Sequence, residues 1–330
     1  MDNLPKVSIL IPTYNQEQFI LEAVYSALSQ TYPNLEVIVG DDNSSDKTPF
    51  LIRQITDPRL IYIRNQQNLG RVKNYQNLLY NHASGEWVLC LDGDDYLIDD
   101  HFVSDAIELI DERVVIIAAN IFKLLPSGEK VSYRLPVESE ILGQELLKKL
   151  PDSRYFFKHA ATLYQRKEAT LINFYSFDSP SSDWESLYRL AQHGRVRYLK
   201  KTVAVWRIHG ANASKQLNVY ELLENLQIWD RIFNYARDLG FSKWFAVYLC
   251  RKCVLRMFNG FLFDLMKNIG DEAAVSFKTL FTLSLKMKEK YPFFWLSWIF
   301  YPVLAAQALV LIIGFTVALT LRKSVNTKLL

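Results

Sequence analysis

Four consecutive residues, Asp92-Gly93-Asp94-Asp95, follow the apolar run from Glu86 to Leu91. Aspartates at the end of a buried strand cost solvation free energy unless positive charge lies beside them. The group therefore invites a divalent cation with few protein ligands, its shell completed by the oxygens of a nucleotide diphosphate. An acidic turn capping the next helix is the competing reading of the same residues. Spacing excludes other chemistries: the EF-hand pattern is missing, no G-x-G-x-x-G follows the first strand, and there is no Walker-type lysine loop. Cys90, Cys250 and Cys253 make no disulfide framework, and one C-x-x-C without a second ligand pair is a weak zinc motif.

The elements that must position these aspartates come next. Val7 to Pro12, Leu35 to Gly40, Leu60 to Ile63 and Glu86 to Leu91 are short apolar runs of the kind found in buried parallel strands. Between them, Phe19, Ile20, Ala23, Val24, Ala27 and Leu28 recur at helical spacing, and helices are predicted around Phe50 to Ile55 and over Arg71 to His82. This alternation predicts a Rossmann-like α/β domain with a doubly wound, mostly parallel sheet. Ligands in such sheets sit beyond the carboxyl ends of the strands. Thr13-Tyr14-Asn15, Asp41-Asp42-Asn43, Asn68-Leu69-Gly70-Arg71 and Asp92-Gly93-Asp94-Asp95 fall there, so four polar loops converge on one crevice. Val114 to Ala119 and Val196 to Trp206 read as further strands, and Asp183 to Ala191 and residues 217 to 240 as helices, whereas residues 121 to 182 show no clear period.

Five segments resemble the family 2 glycosyltransferases of the GT-A fold, in a bacterial, membrane-associated type: VSILIPTYNQEQFILEAVYSALSQTYPNLEVIVGDDNSSD, NLGRVKNYQN, GEWVLCLDGDD, SDWESLYRLAQHG and WRIHGANAS. The resemblance covers residues 6 to about 214, and the first and third segments are its most specific parts. It implies a UDP-, dTDP- or GDP-linked sugar as donor, and that Pro12, Tyr14 and Asp42 hold a uracil or thymine ring by stacking and one hydrogen-bond acceptor. It further places Asp92 near the ribose, Asp94 on a Mn2+ or Mg2+ ion, and Arg71 where a cation supports the donor. Asp183 matches the base that takes the acceptor hydroxyl's proton in inverting members, with Glu185 in reserve. Where the family pattern has an acidic pair, this chain has Ser182-Asp183. In Trp206-Arg207-Ile208-His209-Gly210 the resemblance turns the arginine toward phosphate and makes His209 a third metal-side ligand. The remaining histidines, His82, His101, His159 and His193, have no partner spacing that distinguishes them from surface residues.

Half of the 330 residues are hydrophobic and 14% aromatic, which excludes a disordered or fibrous chain. Residues 241 to 330 carry 12 basic and 4 acidic residues. A basic end mixed with aromatics suits an anionic surface, either nucleic acid or phospholipid headgroups. The 31 residues from Tyr291 to Leu321 carry no charged side chain, which decides for phospholipid and against nucleic acid. The expected organisation is a GT-A glycosyltransferase domain over 1–215, a helical, partly amphipathic region over 216–290, a transmembrane or re-entrant anchor over 291–321 and a basic tail over 322–330. With no secretory signal in Met1 to Lys6, the site is expected at the cytoplasmic face of the inner membrane. The expected activity is metal-dependent, inverting sugar transfer to a lipid-linked or nascent glycan in cell-surface polysaccharide biosynthesis. A noncatalytic nucleotide-binding membrane scaffold is the alternative, suggested by Ser182.

Overall fold

The computed structural model describes residues 4–210, 212, 219–267, 286, 287, 289–291 and 293. Strand β1 (Val7–Thr13) is buried at all seven positions because it pairs on both sides, with β2 (Leu35–Asp41) and β4 (Trp87–Cys90), both parallel. Its apolar run is that of a strand covered on both faces. Beyond β2 lies β3 (Leu60–Arg64), again parallel, so the first four strands run in the order β3-β2-β1-β4. Helices α1 (Ile20–Leu28), α2 (Thr48–Ile52) and α3 (Arg71–Asn77) connect them, and a π-helical turn over Leu78–His82 continues α3. Ile20, Ala23, Val24, Ala27 and Leu28 of α1 are buried, the same apolar stripe that the helical spacing gives.

The second half of the sheet corrects the expectation of mostly parallel pairing. Strand β9 (Thr162–Gln165) inserts antiparallel between β4 and β6 (Val114–Leu124), with Tyr164 opposite both Val88 and Ile116. Strand β10 (Arg195–Arg207) then runs parallel to β6, while β5 (Tyr96–Leu97) and β8 (Glu140–Leu142) pair antiparallel with β10, and β7 (Lys130–Tyr133) with β6. The sheet is therefore mixed. The physical reason is length: β9 has only four residues, enough to fill the gap but too few to carry a period in the sequence. Helices α4 (Phe102–Ile107), α5 (Gly143–Lys149), α6 (Arg166–Leu171) and α7 (Ser182–Ala191) belong to this half.

Helices α8 (Val219–Asp238) and α9 (Lys243–Lys267) follow. One compact unit covers residues 1–257 and a second covers 258–330. In the first unit, Ala246, Leu249, Cys253 and Val254 of α9 are buried, while Trp244 is 85% and Tyr248 50% exposed. Among the described residues no helix is long and apolar enough to cross a membrane. The anchor expected over 291–321 and the tail over 322–330 lie outside the described residues, apart from 291 and 293.

Candidate active site

The ends of β1, β2 and β4 meet as expected for parallel neighbours. Gly93 N–H donates to the carbonyl of Pro12, so the loop after β4 lies against the end of β1. A methyl on Gly93 would come within 2.2 Å of Gln16 Oε1 and 3.1 Å of Thr13 Cβ, which explains why the middle of the acidic run is glycine. Pro12 is buried beneath this contact, and Tyr14, just past it, is 48% exposed. Asp42, buried, accepts from Asn65 Nδ2 and Leu69 N–H at 2.8 Å and from Gly70 N–H at 2.9 Å. It thereby folds the 65–70 loop against β2, and one of a carboxylate's roughly four acceptor positions is left. Gly70, at φ +86°, makes the turn that a residue with a side chain adopts only with strain, and Arg71 opens α3 directly after it.

The three aspartates have different surroundings. Asp92 accepts from Tyr75 Oη at 2.7 Å, and His159 Nδ1 lies 3.6 Å from its other oxygen. Burial pushes its carboxyl up, but His159, Tyr75 and Arg71 outweigh that and hold it below the usual carboxylate range. Asp94 is pushed up by burial and by the charge of Asp92, only partly countered by His209, whose Nε2 sits 2.8 Å from Asp94 Oδ2. Asn212 Nδ2 reaches the same oxygen at 3.2 Å. Asp95, buried, is pushed well up by burial and then by Asp94 and Asp92, and accepts from Arg207 N–H at 2.9 Å. Negative charge is thus in surplus around Asp94, and its carboxylate and the His209 imidazole form an oxygen and nitrogen donor set that fits a hard divalent cation. Cys90, Asp92 and His159 also bring three ligand atoms within 4.8 Å of one another. Burial raises the Cys90 thiol, however, and a neutral thiol is a poor ligand.

Asp183 stands at the start of α7, partly exposed. Its charge favours the protonated forms of both Arg71 and Lys158. Arg71 in turn feels Asp92 as well as Asp183, stacks 5.7 Å from the ring of Tyr75, and donates to the carbonyls of Ser179 and Pro180 at 3.1 and 2.7 Å. One guanidinium therefore lies within electrostatic influence of both the acidic loop after β4 and the carboxylate on α7. Such an arrangement can bind a diphosphate on one side and take a proton from a hydroxyl on the other.

Residues 8–170 match the profile of glycosyl transferase family 2. The chain is a family 2 glycosyltransferase. It is 27% identical over 263 residues to the GalNAc(5)-diNAcBac-PP-undecaprenol beta-1,3-glucosyltransferase of Campylobacter jejuni, covering 74% of this chain and 81% of that one. In fold it is similar to TarS of S. aureus, solved with UDP-GlcNAc, at a TM-score of 0.63 and 20% identity over 77% of this chain and 73% of that one. It is also similar to the mannosyltransferase PcManGT of Pyrobaculum calidifontis, solved with GDP-Man and Mn2+, at a TM-score of 0.55 and 18% identity over 92% and 87%.

Three features of this transferase depart from the sequence reading. Glu185, the reserve base, is fully buried and held by Arg189 and Arg231, each at 2.8 Å, so it is spent on joining α7 to α8. Arg207, which the resemblance turned toward phosphate, is engaged by the protein itself: it pairs with Glu22 at 2.5 Å and lies between the rings of Phe19 and Tyr96, at 4.7 and 5.0 Å. His159, read as a surface residue, is nearly buried against Asp92 and also bonds Tyr175 Oη at 2.7 Å. Only the adjoining apolar stretch Phe156-Phe157 hinted at burial there. Lys158, beside it, has no signal in the sequence at all.

Proposed function

We propose that the transferase moves a sugar from a nucleotide-diphosphate donor, UDP-, dTDP- or GDP-linked, to a hydroxyl of a lipid-linked or nascent glycan, with inversion, in cell-surface polysaccharide biosynthesis. The observation that carries this reading is Arg71, a single cation under the influence of both Asp92 and Asp183, which puts donor and base residues in one crevice. The exposed ring of Tyr14, backed by the buried Pro12, offers a platform for the base, with the last acceptor position of Asp42 for its N–H. Asp92, kept ionised by its neighbours, accepts from the ribose, and Arg71 faces the diphosphate. Asp94 and His209 would hold a Mn2+ or Mg2+, which when bound neutralises the charge of the departing diphosphate.

Asp183 accepts the proton of the acceptor hydroxyl as that oxygen bonds to the anomeric carbon. The bond from that carbon to the diphosphate oxygen breaks on the opposite face, its electron pair leaving with the nucleotide, so a single displacement inverts the configuration. The lipid-linked acceptor is supported by the printed substrate of the Campylobacter relative. Residues 1–215 form the transferase domain in this reading, with 216–290, 291–321 and 322–330 as amphipathic region, anchor and tail at the cytoplasmic membrane face. The exposed side of α9, with Lys243, Trp244, Phe245, Tyr248, Arg251 and Lys252, has the composition that suits phospholipid headgroups. Transfer measured with Asp94→Asn and Asp183→Asn tests the reading: each is expected to lower turnover by about 10²-fold or more. Turnover unchanged in either folded variant contradicts the role given to that residue.

A further inference from the structure

The reaction as derived makes no use of Lys158 and Lys123. Lys158 Nζ lies 3.9 Å from the ring centre of Tyr133 and 5.7 Å from those of Trp184 and Trp206. Lys123 Nζ lies 5.1 Å from the ring of Trp206, so two ammonium groups approach one indole. They repel: the charge of Lys123 works against protonation of Lys158. Among the described residues neither makes an ion pair with a carboxylate, and the anion whose charge reaches Lys158 is Asp183. Aromatic faces stabilise an ammonium, but two cations crowded in this way are left short of negative charge. Burial and Lys123 together pull Lys158 down to about 8.

We propose that Lys158 and Lys123, walled by Tyr133, Trp184 and Trp206, grip the diphosphate of a lipid-diphosphate-linked acceptor. The inference rests on Asp183 as the base. Asp183 must touch the reacting hydroxyl, and Lys158 is near enough to feel its charge. Lys158 Nζ also lies 5.7 Å from the ring of Trp184, the residue that follows Asp183 on α7. The doubly anionic linker supplies the negative charge that the pair lacks.

The shared chemistry is a diphosphate, and the donor carries one too, so the test separates the two sources. Isothermal titration of the full chain with geranyl diphosphate is run with Mn2+ and a saturating nucleoside diphosphate chosen from UDP, dTDP and GDP. The same nucleotide is also titrated alone. Lys158→Met and Lys123→Gln are each expected to weaken geranyl diphosphate about tenfold, a loss of about 1.4 kcal/mol, with nucleotide affinity unchanged. Lys158→Arg should retain binding, and raising the pH through about 8 should weaken the native protein but not Lys158→Arg. Geranyl diphosphate bound equally by folded variants overturns the proposal, as does a parallel loss of nucleotide affinity, which assigns the lysines to the donor. Asp183→Asn provides the separation from the reaction itself: if it still transfers sugar the base assignment fails, whereas the lysine result is read from binding alone.

Discussion

Asp92 is held by groups from distant parts of the chain, Tyr75 on α3 and His159 just before β9. An unpaired buried carboxylate would take up a proton, and a protonated carboxyl is a weaker acceptor for ribose hydroxyls. Replacing His159 by Phe keeps an aromatic ring and removes the cation. Nucleotide affinity is then expected to fall about tenfold, within the range for hydrogen bonds to charged groups, and titration calorimetry at neutral pH checks it. An unchanged affinity would make His159 a packing residue only. The aspartates themselves were legible in the sequence because they stand together at the end of an apolar run. His159 and Lys158 were not, because their partners are far away in the chain and residues 121–182 have no period to place them on a face.

Helix α7 separates two carboxylates that are adjacent in chemistry but opposed in use. Asp183, the proposed base, is partly exposed in the first turn, while Glu185 is buried between Arg189 on the same helix and Arg231 on α8. Removing one partner of a buried ionic group leaves charge uncompensated and costs about 3–5 kcal/mol. Glu185→Ala is therefore expected to lower the urea midpoint strongly, and a midpoint within error of the native protein would contradict this account. Helix periodicity and the alternation of strands with helices made β1 to β4, α1 and α7 legible. Strands β7, β8 and β9 have four, three and four residues, and their partners, not their sequences, make them strands. The same shortness hid the mixed character of the sheet.

In the proposed reaction the labour is divided across the sheet. The parallel half supplies the residues assigned to the donor: Tyr14 after β1, Asp42 after β2, Arg71 on α3, and Asp92 and Asp94 after β4. The mixed half supplies those assigned to the acceptor: Lys123 on β6, Tyr133 on β7, Lys158 before β9, Asp183 on α7 and Trp206 on β10. His209, past the end of β10, crosses back to Asp94. The parallel half follows the strand-end rule and could be read from sequence, whereas the mixed half is assembled by pairing between short or distant strands. Asp94 and His209 are the proposed cation site of this crevice. That assignment is tested most directly by anomalous diffraction from crystals grown with Mn2+ and whichever of UDP, dTDP or GDP binds. A manganese peak between Asp94, His209 and the nucleotide's diphosphate is predicted; a bound diphosphate with no peak there, or with the peak among Cys90, Asp92 and His159, would contradict it.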